Sequence, residues 1–368
     1  MSATHRSWRS IPSVRVLILL PALACSSPHG AAFPAAMKEA DLATERGDLA
    51  EAARRFDAAA LVAKLPRDRD DARHAAARAL SRAGEVDVAL ARLDGIAHET
   101  PPGVEAASAW YDATVLRLAR GETDAGWRDL EEMIHRFPDD GATRPALHRW
   151  LDHEDETVGP AATLAWLRRT APELERTDRA EEIAYETALR LEVTHDATAR
   201  DAFLAVATRW PYPTGALWDD ALWHASEIAL AAGDARAAAT DLTRMLAARE
   251  RAILVGSAER SRYAASELRL AELYRDRLAD HAAARAAFHA LYADFPESSL
   301  RDRGLFEEAK LLALDGDGAA ACARLETLIE EFPMSRYAPC AVAACPTVHA
   351  KPGKDAPSTC HAYVLSQF

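Results

Sequence analysis

Small and apolar residues recur along the chain at fixed offsets. Gly121 is followed five residues on by Gly126, then by Leu130, Met133 and Pro138. Gly316 opens the same series with Ala321, Leu325, Leu328 and Pro333, and Gly84 opens it with Ala89, Leu93, Ile96 and Pro101. Looser copies are Gly47, Ala52, Phe56, Ala59 with Pro66 late, and Gly233, Ala238, Leu242, Met245 without a proline. Ala279 and Thr194 stand at the glycine position of two more, ahead of Ala284, Phe288, Leu291, Pro296 and of Ala199, Phe203, Val206, Pro211. Around Pro172 only Leu164 and Leu167 keep the offsets, with Pro160 at the small position. Apolar residues three and four apart share one helix face. A glycine before a polar residue is a left-handed helix stop, and a proline ends the second helix or starts the connection onward. The pattern therefore predicts helix–turn–helix units, each with an apolar stripe it cannot bury alone, so that neighbours must stack.

The unit resembles the tetratricopeptide repeat family over about residues 33–345, as eight copies. The resemblance implies an all-α chain forming a right-handed α-solenoid of about eight repeats, with a concave face that grips a peptide or partner helix. The phrases Tyr292-Ala293-Asp294-Phe295-Pro296-Glu297-Ser298 and Glu331-Phe332-Pro333-Met334-Ser335 look like repeats of periplasmic lipoproteins that serve outer-membrane assembly and cell division. Ser298 and Ser335 are expected there as N-caps. Residues 139–178, with the acidic turn His153 to Glu156 and Gly159-Pro160, break the pattern and read as a possible seam. Residues 247–258 read as a longer connection.

The first 24 residues do not fit the repeat. Arg6, Arg9 and Arg15 precede an apolar stretch from Val16 to Ala24, too short to span a bilayer and suited to a secretory signal. Ala22-Leu23-Ala24-Cys25-Ser26-Ser27 resembles a bacterial lipoprotein signal. That resemblance implies Cys25 as the lipidated (palmitate-bearing) first residue of the mature chain. Ser26 implies an outer-membrane address, with the body facing the periplasm. An ordinary signal cleaved near Ala24 is the alternative. Residues 25–32, and on to Pro34, then read as anchor and flexible linker.

Composition narrows the function. Hydrophobic residues make up 49% and charged residues 27%, which excludes wholesale disorder. The net charge is −13, and loss of the leader's three arginines takes it to −16. An acidic body argues against a generic nucleic-acid binder and against lying flat on an anionic membrane. No metalloprotease, nucleophile-elbow, phosphate-loop or dinucleotide motif is present, so no catalytic residue, metal ligand or cofactor is assigned.

Candidate contact residues are the aromatics Trp110, Trp127, Trp150, Trp210, Tyr212, Trp218 and Trp223, because tryptophan is enriched at binding hot spots. Packing between helices is the other reading. Arg168 and Arg169, with Arg176, Arg179, Arg190 and Arg200, offer a basic strip for an acidic peptide, or else ordinary solvated faces. Four cysteines lie late: Cys322, Cys340, Cys345 and Cys360. In an exported chain an even set reads as disulfides. Antiparallel helices bring Cys322 and Cys345 to one height, while Cys340 and Cys345, five apart on one helix, point about 140° apart. The expected pairs are Cys322–Cys345 and Cys340–Cys360, the second pinning the tail 346–368 over the end of the array. The rival is a redox- or metal-dependent factor built on Cys340, Cys345, His349, Cys360 and His361. The leading reading is a non-enzymatic scaffold that binds a protein or peptide in envelope assembly and meets the membrane through its lipid.

Overall fold

The computed structural model describes residues 29–248, 261–349 and 359–361. The leader, Cys25 and most of the connection at 247–258 lie outside the described residues. Within them are seventeen α-helices and no strand. Sixteen helices form eight hairpins: α1 (Ala32–Glu45) with α2 (Leu49–Val62), α3 (Pro66–Arg82) with α4 (Val86–Ala97), α5 (Ala106–Ala119) with α6 (Thr123–Arg136), and α7 (Thr143–Thr157) with α8 (Pro160–Leu174). They continue as α9 (Ala180–Val193) with α10 (Ala199–Arg209), α11 (Trp218–Ala231) with α12 (Ala235–Ala247), α13 (Ser261–Asp276) with α14 (His281–Ala293), and α15 (Arg301–Leu314) with α16 (Gly318–Glu331); the short α17 (Ala338–Ala344) follows. The chain divides into two compact units, residues 1–133 and 134–368. Within each, helices pack mainly on their neighbours in sequence, which is the contact pattern of an α-solenoid.

The repeat offsets account for this packing. Gly47, Gly84, Gly121, Gly233 and Gly316 all take positive φ, between 80° and 87°. Each ends its helix in the same way. The Gly47 amide donates to the Thr44 carbonyl and the Asp48 amide to the Ala43 carbonyl, and the pair recurs at Gly316 and Asp317. The small residue five places on lets the paired helices meet: Ala52, Ala89 and Ala238 are fully buried, and a β-carbon on Gly126 would strike Leu118. The apolar residues that follow, such as Phe56, Leu93 and Ile96, or Leu242 and Met245, form the core between hairpins.

Four details depart from expectation. The residue standing for glycine in the fifth hairpin is His195 (φ 55°), one place after Thr194. The amides of His195 and Asp196 reach Glu192 and Leu191, as those of Gly47 and Asp48 reach their partners. Pro172 lies inside α8 rather than ending it, and Gly159 (φ 91°) with Pro160 at the first helical position starts that helix. Pro34 lies in the first turn of α1 rather than in a linker. Ser298 and Ser335 are not N-caps: their hydroxyls accept the amides of Leu300 and Tyr337, which are themselves the cap residues of α15 and α17. Asp140 and Asp196 do the same for Ala142 and Thr198. Within hairpins, Asp234, Asp280 and Asp317 are true side-chain caps, accepting from Ala237, Ala283 and Ala320.

Candidate partner-binding face

Within each unit, the first helix of a hairpin, the A helix, runs beside the A helix of the next hairpin. Cations on one meet carboxylates on the other, about one repeat away in sequence. In the N-terminal unit, His74 of α3 holds Asp112 of α5 at 3.0 Å through Nε2 and Glu105 at 3.1 Å through Nδ1. In the C-terminal unit, His148 and Arg144 of α7 hold Glu182 of α9 at 2.7 and 3.1 Å. Glu192 of α9 accepts from His224 of α11 at 2.7 Å. Asp220 and Asp219 of α11 take Arg262 and Tyr263 of α13, the Tyr263 hydroxyl donating at 2.8 Å. Arg275 and Glu272 of α13 pair with Glu307 and Arg303 of α15. These pairs set the register of neighbouring A helices; the exposed ones add little stability singly.

Titration within the ladder follows its packing. The Glu182 hydrogen bond raises His148 above its ordinary value despite partial burial. Burial pushes Glu182 up, but His148, Arg179 and Arg144 outweigh it and hold the carboxyl low. Burial wins at Glu186, which lies high despite Arg190 and His148. Burial, with Asp220 nearby, holds the Tyr185 phenol well above its ordinary value, so it stays neutral and can donate a hydrogen bond.

One patch of this face carries aromatic surface. Half-buried Trp223 of α11 has the Arg262 guanidinium 4.4 Å from its ring centre. His224 beside it stacks on buried Phe203 at 4.8 Å and meets the ring of Tyr185 of α9 edge-on at 6.0 Å. Four elements thus fix one aromatic cluster with a guanidinium lying on its half-exposed indole. Farther along α11 and α13, a cavity of about 440 Å³ is lined by Glu227, Leu230, Arg269, Glu272, Asp276 and Arg277.

The other expected contact residues separate by burial. Trp110, Trp150 and Trp218 are buried, and Trp150 packs on buried Trp166 at 4.0 Å. Trp127 and Trp210 are half-buried, with Arg209 over the Trp210 ring at 4.5 Å. Tyr212 is 42% exposed and leans on Trp218. Arg168, Arg169 and Arg176 are exposed, whereas Arg179, Arg190 and Arg200 are engaged by Glu182, Asp155 and Asp241 at 2.8, 2.9 and 2.6 Å. The six arginines therefore do not make one strip. Tyr185, His224 and Arg262 were not singled out by motif. Their signal in the sequence is the spacing of a cation and a carboxylate by about one repeat, 32 residues for His224 and Glu192 and 42 for Arg262 and Asp220.

At the C-terminal end, Cys322 stands against Cys345 with Cα atoms 5.6 Å apart, and Cys340 against Cys360 at 4.7 Å, both as disulfides. Cys345 follows the last residue of α17 and is extended, so it does not share a helix with Cys340 as the spacing suggested. Cys340, Cys345 and Val348 are buried with Leu305, Phe306, Leu325 and Tyr337, and Cys360 packs against that cluster. His349 and His361 are exposed.

No family model matches the chain, and no curated protein matches it. Among solved structures it is similar to the C-terminal part of a TPR repeat-containing protein from Cytophaga hutchinsonii, with a TM-score of 0.44 and 12% identity over 73% of this chain and 99% of that one. It is also similar to a tetratricopeptide repeat protein from Parabacteroides merdae, with a TM-score of 0.33 and 12% identity over 77% and 99%. A third is the TPR domain of P58(IPK), with a TM-score of 0.26 and 16% identity over 85% and 87%.

Proposed function

We propose that this protein is a non-enzymatic scaffold that holds a protein or peptide partner on its A-helix face, at the outer membrane of a Gram-negative envelope, tethered through a lipid on Cys25 and facing the periplasm. The observation that carries the binding reading is the Trp223–Arg262 stack with Tyr185 and His224. A flat, half-exposed indole held by a guanidinium offers large contact area at low ordering cost, as binding hot spots do. The A-helix ion pairs hold it on rigid elements, so little entropy is lost on docking. The address rests on the leader and the Ala24-Cys25-Ser26 junction. The body's acidity suits tethering beside an anionic surface without adsorption.

The test uses the full chain in membranes, with a photo-crosslinking residue in place of exposed Tyr212. Crosslinks to a discrete partner are expected that disappear with Trp223→Ala and with Arg262→Ala. Labelled palmitate should enter the wild type and not Cys25→Ser. Crosslinks indifferent to both face variants would remove the binding reading, and unlabelled wild type would remove the anchor.

A further inference from the structure

Within the N-terminal unit, the α3–α5 junction carries ion pairs that the α1–α3 junction lacks. Among the described residues, no cation ties α1 to α3. Asp41 of α1 and Asp71 of α3 instead border one groove of about 290 Å³, both exposed and neither in an ion pair. Its floor is apolar: Met37 and Phe56 from the first hairpin, with Ala75 and Ala79 of α3. The two alanines leave open the space a longer side chain would fill. Although Asp71 reaches solvent, partial desolvation of its carboxyl, together with the charges of Glu105, Asp68 and Asp41, holds it above its ordinary value, and His74 opposes this only in part. The negative charge at this end is compensated only in part. Arg78 and Arg82 border the groove farther along α3. Arg78 already leans on Asp112 at 3.6 Å, which leaves Arg82, likewise exposed, as the cation outside an ion pair among the described residues. Asp71 and Arg82 are eleven residues apart on one face of α3, a rise of about 16 Å.

We propose that this groove receives a partner's helical segment in which an apolar side chain lies between a Lys or Arg and a carboxylate about three turns apart. The lysine or arginine supplies the cation that the α1–α3 junction lacks, between Asp41 and Asp71. The apolar side chain covers Met37, Phe56 and the two alanines. The carboxylate meets Arg82. Charge complementarity selects this occupant, since an all-acidic segment is repelled at Asp41 and Asp71, and an all-basic one at Arg78 and Arg82. The inference rests on the scaffold reading but names a second site, away from Trp223.

The test titrates the full-length protein against a labelled alanine-rich peptide of about 15 residues with Lys at i, Leu at i+4 and Glu at i+11. Saturable binding is expected. It should weaken by at least about tenfold when Asp41→Asn and Asp71→Asn are combined, and similarly when the peptide's Lys becomes Gln. Ala75→Arg, which brings a cation into the groove from the chain itself, should also block it. Circular dichroism verifies that each variant keeps its helices, and the wild-type comparison of the Lys and Gln peptides needs no variant. Equal binding of those two peptides, or none of either, overturns the proposal. Trp223→Ala should leave peptide binding unchanged. Crosslinks indifferent to Trp223→Ala, with peptide binding intact, would instead remove the other site.

Discussion

At the residue scale, the hairpin turns all ask for one left-handed residue, and most hairpins supply glycine. At Gly316 a β-carbon would meet nothing within 4 Å, so the preference there is conformational and not a matter of space. Ala279 (φ 52°) and His195 (φ 55°) hold the same backbone with a side chain attached. An L-residue in this region costs roughly 1–2 kcal/mol, and glycine returns roughly 0.5–1 of that as chain entropy. Ala279→Gly should therefore raise the stability of its unit by about 0.5–1 kcal/mol, and Gly316→Ala should lower it by a similar amount. Urea unfolding at constant m-value measures both. Destabilisation by Ala279→Gly would mean that the turn is shaped by something other than this one dihedral.

At the scale of elements, the tie between α7 and α9 is pH-dependent. The raised His148 stabilises fully below its unfolded value of 6.5, and that contribution fades as pH climbs through its higher folded value. The lowered Glu182 stabilises above its unfolded value of 4.5, and that contribution fades as pH falls through its lower folded value. The two overlap between about pH 4.5 and pH 6.5. The gap in melting temperature between wild type and His148→Gln should be widest near about pH 5.5 and narrow toward about pH 8. A gap that stays constant over this range would show that the imidazole's charge plays no part.

At the scale of the molecule, a stacked array leaves its last hairpin without a neighbour, and its apolar side needs a cover. Here α17 and the residues around Val348 and Cys360 provide one, held by loops of 23 and 20 residues between paired cysteines. Loops of this length limit the unfolded chain by about 3 kcal/mol each. Peptide mapping without reductant should return Cys322–Cys345 and Cys340–Cys360. Combining Cys340→Ser with Cys360→Ser should lower stability by about 3 kcal/mol and expose the tail to protease. A Cys340–Cys345 peptide would contradict this arrangement of the cap.

The repeat itself was legible in the chain, because an αL stop, a small contact residue and two apolar residues at helical spacing are local demands that any hairpin of this kind makes. Gly121 to Met133 and Gly316 to Leu328 state them outright. Even Ala279 could be placed by its offset, whereas Thr194 was one residue out because the longer turn at Asp196 shifts the start of α10. Pro172 misled for a related reason: Gly159-Pro160 starts α8 later than the repeat pattern placed it, so Pro172 falls inside the helix instead of at its end. What the tertiary structure alone decided is which side chains share a surface. Burial separates Trp110, Trp150 and Trp218 from Trp223, although all sit in similar helical contexts. The pairing of Arg262 with Asp220, the cluster at Tyr185 and His224, and the unfilled junction at Asp41 and Asp71 all join residues one repeat apart. Local periodicity specifies each hairpin. The contacts between hairpins depend on how adjacent A helices are offset and rotated, and that is fixed only when their cores interlock.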